Sequence, residues 1–327
     1  MKKSLLLILL CLIISSKLRA QDPQFTQFYA NKLYLAPSFA GATQMDRVSS
    51  SYRNQWPSLP GIFVSYSFSY DHYFSNFNSG VGLLVMRDLA GTGELATTSI
   101  GLQYSYDFKI NNWWHVRPGA QLSFVQTSMD FQKLIWNDQI SVGSTGSTSI
   151  EQPPLSSKAD IDFTASVLAY SKKHWIGLTI DHLLKPKNSL WDTEEYIPLK
   201  FSVFGGTQII RRGNLLSNID ESLSAAFLFR NQYFINQLDI GLYWFKEPIV
   251  LGFWYRGIPI INEERLGDAV AVLAGYKIDD LSVGYSYDFT ISNLIGSTGG
   301  AHEISLTYEF STTRKRQKRH MIPCPQF

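Results

Sequence analysis

Residues 99–109 read SIGLQYSYDFK, and every second side chain is large and apolar. Ile100, Leu102, Tyr104, Tyr106 and Phe108 share one face of an extended chain; Gly101, Gln103, Ser105, Asp107 and Lys109 share the other. The letters YSYDF recur at 285–289, inside DLSVGYSYDFT (280–290), and a near-copy, FSYDH, stands at 68–72. In the second copy Leu281, Val283, Tyr285, Tyr287 and Phe289 oppose Ser282, Gly284, Ser286, Asp288 and Thr290. In GAHEISLTYEF (300–310), Ile304, Leu306, Tyr308 and Phe310 oppose Glu303, Ser305, Thr307 and Glu309. Each segment is aliphatic in the middle and aromatic towards one end, with a small or charged opposite face.

A soluble sandwich alternates too, so alternation alone does not choose between folds. The aromatic ends and the polar second face do. A transmembrane barrel carries an apolar outer band, aromatic girdles at both interfaces and a polar interior. Aromatics make up 14% of the chain and charged residues 17%. After the first twenty residues no stretch approaches 18 consecutive apolar residues, which excludes helical spans there. YSYDF then reads as a girdle segment, with Tyr and Phe at the headgroups and Ser and Asp facing a wet lumen. Alternating runs fall near 46–54, 62–72, 79–87, 94–109, 112–126, 159–171, 174–184, 198–211, 221–231, 234–246, 249–257, 267–277, 280–290 and 300–310. The expected fold is all-β, a transmembrane antiparallel barrel of about fourteen strands with an N-terminal strap or plug segment. KINN (109–112), SKKH (171–174), KEP (246–248) and KIDD (277–280) are short and fit periplasmic turns. Longer outer connections are expected at 58–61, 87–95, 127–158, 185–198, 257–265 and 290–300. Two connections break the rule: 212–220 is long on the short side, and Gln232–Tyr233 is short on the long side.

The two ends differ from the barrel. Lys2 and Lys3, the apolar run Leu5–Ile14 and Ala20 before QD have the order of a secretory signal peptide, with cleavage after Ala20. The expected organisation is signal peptide 1–20, strap 21–45, barrel 46–310 and basic tail 311–327. Beyond the leader Cys324 is a lone cysteine, which excludes an internal disulfide or a CxxC metal site. A net charge of +2 implies no nucleic-acid partner. TRKRQKRH (313–320) reads as a solvated tail, with docking to an acidic partner as the alternative.

Chemistry is sparse. The histidines form no HExxH and no close pair, and GTG (91–93) and GSTGST (143–148) lack the Lys and the strand–helix setting of a phosphate loop. Asp160 and Asp162 share a strand face and could work as an acid–base pair, but lumen lining is the simpler account. No enzyme activity, cofactor or metal is therefore expected. The Ser/Thr/Gly-rich stretch within 127–158 is a disordered loop, or one that narrows the lumen or reaches a partner.

The segment QDPQFTQFYANKLYLAPSFAG (21–41), then YRNQWPSLPG (52–61), and SYDFTISNLIGSTGGAHEISLTYEF (286–310) with a basic tail ending CPQF (324–327), resemble the PorP/SprF family of outer-membrane proteins associated with the type IX secretion system. The chain departs from the family pattern where Asn-Pro is expected twice: here stand Asn31-Lys32 and Ala36-Pro37. The resemblance implies an integral protein of the outer membrane, in contact with its lipid, that serves export or surface attachment of large secreted proteins such as gliding adhesins. Partners would be the C-terminal domains of those secreted surface proteins and other type IX secretion components. It implies structural roles for Gln24, Phe25, Gln27, Phe28, Asn31, Pro37, Gly41, Arg53, Asn54, Gln55, Trp56 and Pro57. Outer loops carrying Trp191, Tyr196 and the 127–158 segment would meet cargo. A passive pore or FadL-like transporter of hydrophobic small molecules, and a soluble secreted binding module, stand as alternatives.

Overall fold

The computed structural model describes residues 22–136, 139, 155–187, 189–190, 194–213, 219–233, 235–258, 269–291, 296, 298–310 and 322. The expected signal peptide, most of the serine-rich stretch of 127–158, Trp191, Cys324 and all of the basic tail but Ile322 lie outside the described residues.

The strands are β1 Asp46–Gln55, β2 Ile62–Phe74, β3 Ser79–Gly91, β4 Leu95–Tyr106, β5 Phe108–Lys109, β6 His115–Ser128, β7 Ser157–Tyr170 and β8 His174–Asp181. They continue as β9 Lys200–Gly213, β10 Ile219–Gln232, β11 Ile235–Lys246, β12 Ile249–Ile258, β13 Ala269–Ile278, β14 Leu281–Thr290 and β15 Ala301–Phe310. All pairings are antiparallel. Pairing of β1 with β15 and of β4 with β6 closes the sheet into a fourteen-strand barrel, with the two-residue β5 as an extra strand on β6. Closure leaves no sheet edge to template aggregation. Each strand read from alternation has its counterpart here, because period-2 patterning is what a wall with two different faces demands.

Connections 75–78, 107–114, 171–173, 247–248 and 279–280 form one rim, the turn rim. Connection 56–61 and the described residues of 129–156, 182–199 and 291–300 form the other, the loop rim. Two expected connections need correction, one on each rim. Residues 87–95 are mostly strand, since β3 pairs Leu89 and Ala90 with Ala96 and Leu95 of β4, leaving only 92–94 as a turn. The stretch 212–220 shrinks as well, because β9 and β10 extend into it.

The outer face is apolar, as lipid requires: Leu102, Phe253, Ile304 and Leu306 are among its exposed side chains. The inner face is divided, and this corrects the expectation of a polar interior. On β14, β15, β1 and β2 it carries Ser286, Asp288, Glu303, Ser305, Ser49, Arg53, Ser67 and Asp71, all buried. From β7 to β13 it carries Leu168, Trp175, Phe204, Leu228, Tyr243, Trp254 and Leu273, also buried. A hydrophobic cluster therefore sits inside the barrel, and it includes Phe28, Tyr29, Leu33 and Phe39 of the N-terminal segment. Glycine makes the room: a Cβ on Gly241 would lie 2.2 Å from the Trp254 ring.

Candidate functional site

Residues 22–45 run along the inner wall from the loop rim to the turn rim. Pro23 and Pro37 limit regular structure, and the segment forms only a short helix, α1 (Lys32–Leu35), and a 3-10 turn at Pro37–Phe39. A buried segment without a ladder must find partners for its backbone polar groups. Here side chains of the wall supply them at successive heights.

At the loop rim the Asp22 carboxylate accepts hydrogen bonds from Lys200 Nζ (2.7 Å), His182 Nε2 (2.9 Å) and Gln232 Nε2 (3.1 Å). His182 Nδ1 lies 2.7 Å from Asp162 Oδ2. Burial alone would raise the Asp22 carboxyl, but Lys200 and His182 outweigh it and hold it well below the usual carboxylate range. Burial would lower the His182 imidazole, yet Asp22 and Asp162 push it up to about 10. His182 is thus a charged bridge between two carboxylates.

One step deeper, two carboxylates receive the segment. Glu303 accepts from the Thr26 amide (2.7 Å) and the Gln27 amide (2.9 Å). Asp288 accepts from the Thr26 hydroxyl (2.8 Å). Arg53 donates to Asp288 (2.7 Å) and Glu303 (3.1 Å), and Arg256 donates to Asp288 (2.6 Å) and to Gln24 Oε1 (2.9 Å). The Gln27 side chain donates to Ser286 Oγ (3.2 Å) and accepts from Ser305 Oγ (2.5 Å). Charge-assisted bonds of this kind are about twice as strong as neutral ones. They offset part of the cost of burying four ionised groups.

Towards the turn rim the Ala30 carbonyl accepts from Arg47 Nη2 and from Ser49 Oγ (3.0 Å). Arg117 donates to the Ser38 carbonyl (3.2 Å) and the Ala40 carbonyl (2.6 Å). The Gly41 amide donates to Asp71 (2.9 Å). Gly41 has φ +65°, and a Cβ there would meet Gly80 Cα at 2.8 Å, so glycine is required on two counts.

The structure thus gathers most of the residues named from sequence. Gln24, Phe25, Gln27, Phe28, Asn31, Pro37, Gly41 and Arg53 all lie on this interface. Phe25 packs edge-on to Tyr34, and Phe28 edge-on to Trp254. The Asn31 carbonyl accepts from the Tyr34 amide (3.0 Å) and the Leu35 amide (3.1 Å). Asn54 and Gln55 end β1, opposite His302 and Ala301 of β15. Trp56 turns the chain with φ +56°, its amide donating to the Gly300 carbonyl (2.8 Å), and it packs edge-on to Phe63; Pro57 is exposed. Tyr196 stands apart, exposed on the loop rim under the Lys187 ammonium.

The motif aspartates correct the girdle reading on one point. Asp71, Asp107 and Asp288 face inward, but each meets protein rather than water. Asp107 pairs with His115 (3.1 Å) and Arg117 (3.5 Å) and accepts from the Tyr170 hydroxyl (2.9 Å). Likewise Asp160 and Asp162 bind the Lys187 amide and His182, not each other. Sequence reasoning missed Arg256, Arg117, Arg47, Lys200 and His182. For Arg117 and Arg256 a signal was available, since a cation in an inward register position of a strand needs a partner. Among the described residues no group of three or more His, Cys, Asp or Glu side chains stands in metal-holding geometry.

A family model described as "Type IX secretion system membrane protein PorP/SprF" matches residues 17–308. No curated protein matches the chain by sequence. Among solved structures, a deltaS2 mutant of the monoaromatic hydrocarbon channel TodX is similar with a TM-score of 0.52 and 10% identity, over 86% of this chain and 94% of that one. The outer membrane protein Omp33 of Acinetobacter baumannii is similar with a TM-score of 0.46 and 9% identity, over 83% and 100%. A FadL homologue of Pseudomonas aeruginosa follows with a TM-score of 0.43 and 14% identity, over 81% and 90%. The likeness to the TodX channel reports a shared β-barrel fold.

Proposed function

The chain belongs to the PorP/SprF family of type IX secretion system membrane proteins, and from that premise we propose that it assists the export or surface anchoring of large secreted proteins, such as gliding adhesins, by engaging their C-terminal domains at the loop rim. Other secretion components are its further partners, and it has no catalytic role. The leader is removed after Ala20. The observation that supports an accessory role over a conduit is the bonded segment in the lumen. From Asp22 at the loop rim to Gly41 at the turn rim it holds both wall halves. A conduit for a polypeptide would have to break these bonds at every passage. An anchor keeps them and works through its rims.

A second reading has one observation in its favour. A recess at the loop rim is walled by Phe25, Phe28, Leu35, Leu228, Lys200 and Arg230, which suits a small hydrophobic molecule more than a peptide. Cross-linking in the native outer membrane, followed by affinity purification and mass spectrometry, separates the two. The anchoring role expects a large secreted protein, joined through its C-terminal domain, together with secretion components. Recovery of the barrel alone, from cells shown to make such cargo, would move the transporter reading to first place.

A further inference from the structure

Three neighbouring connections of the turn rim differ from the rest. At the end of β2 and in the turn after it, Phe74 and Phe77 are exposed; between β4 and β6, so are Phe108, Ile110, Trp113 and Trp114. Trp113 and Ile110 are about two-thirds exposed, at 65% and 64%. These are not frayed ends. Asn111 Oδ1 accepts from the Trp113 and Trp114 amides (2.8 Å each), and the Trp114 carbonyl accepts from the Ile110 amide (3.1 Å). The Asp107 amide ties this turn to the Asn78 carbonyl of its neighbour (2.8 Å). From the third connection, between β7 and β8, Lys172 reaches over the Trp113 ring, 5.4 Å from its centroid, with Lys173 exposed beside it. A built turn that holds two indoles away from the protein implies a medium that covers them.

We propose that these three turns form a one-sided foot that binds anionic phospholipid headgroups at the turn-rim leaflet. Continuity is the first argument. Leu102, Tyr104, Tyr106, Phe108 and Ile110 are one outward register line, running from the lipid-facing band through the girdle into the foot. Tryptophan favours the membrane–water interface, where its ring is partly buried and its N–H stays wet. Charge is the second. Lys109, Lys172 and Lys173 crown the foot with no exposed carboxylate among its described residues, whereas the far side of the rim mixes Glu247, Asp279 and Asp280 with Lys246, Lys277 and Arg211. An anionic leaflet attracts the first group, whose charge no neighbouring carboxylate offsets, and gains little from the second, whose charges nearly cancel. The inference rests on the barrel spanning a bilayer and is independent of the cargo reading.

The test uses the full mature chain in nanodiscs of phosphatidylcholine with or without phosphatidylglycerol. Lipids brominated near the headgroup should quench a fluorescence component that is lost in the Trp113→Phe/Trp114→Phe variant. Spin-labelled phosphatidylglycerol should associate with the protein more strongly than spin-labelled phosphatidylcholine. That preference should fall about 5-fold for each lysine removed in Lys172→Gln and Lys173→Gln. Retained heat-modifiable migration shows that each variant is folded. Two results overturn the proposal: indoles open to acrylamide and untouched by brominated lipid, or a lipid preference unchanged by removing both lysines. The first would put the foot in water, where its partner is a protein.

Discussion

Arg53 Nη2 lies 2.7 Å from Asp288 Oδ2, and each side chain is 5% exposed. Arg53 belongs to β1 and Asp288 to β14, with β15 between them, so the pair spans a whole strand on the inner wall. The bridge passes over Glu303 of β15, which holds both Arg53 and the Thr26 and Gln27 amides. Wall and segment are therefore one network.

Breaking it from one side should be costly. Arg53→Ala leaves Asp288 with Arg256 alone and Glu303 without its cation, and removing one member of a buried pair costs about 3–5 kcal/mol. The expected readout is a lower midpoint in denaturant-induced unfolding from detergent. Hydrogen exchange at Thr26 and Gln27 should rise. An unchanged exchange rate there would contradict the network.

Gly80 tests the segment apart from the wall. A Cβ at this position would fall 1.9 Å from the Ala40 carbonyl oxygen. Gly80→Ala should push the 37–41 turn off its seat, at a cost of about 1–3 kcal/mol for overpacking. The barrel should still migrate in its folded, heat-modifiable form, while proteolysis within 22–45 rises.

The loop-rim cluster gives a pH window. The Asp22 carboxyl is held low, so its contribution is present above the ordinary carboxylate pKa near 3.8 and is lost as pH falls through the depressed value. The imidazole of His182 is pushed up to about 10 from 6.5, so its contribution is complete below 6.5 and is lost as pH rises through about 10. Protection of residues 22–26 from hydrogen exchange should be greatest between about pH 4 and 6.5, decline progressively from 6.5 to about 10, and fall at the acid extreme. His182→Gln should abolish the alkaline fall and keep the acid one.

Lipid exposure makes a prediction about the outer face. Leu306 is mid-strand in β15 and 46% exposed. Leu306→Arg should destabilise the reconstituted barrel by about 2–4 kcal/mol, and an arginine near a strand end by about 0–1 kcal/mol. Equal costs at both depths in a lipid vesicle would argue against a bilayer around this face.

Alternation by itself determined the wall. The faces of the strands around YSYDF, their number and the girdle all follow from a period of two, because each residue's side is fixed by parity. Fourteen strands could be counted before any pairing was known. Residues 22–45 yielded less. Their aromatics signalled packing, but their route did not follow, since a segment without period carries no register. Only the tertiary structure decided that Asp288 and Asp107 meet arginines rather than water. Arg53, Arg256 and Arg117 lie on other strands, and no local pattern sets which strands become neighbours across a closed sheet. The divided lumen was hidden for a related reason. Trp175, Tyr243 and Trp254 alternate with outward apolar residues, so apolar side chains on both faces blur the very signal that marked the polar half.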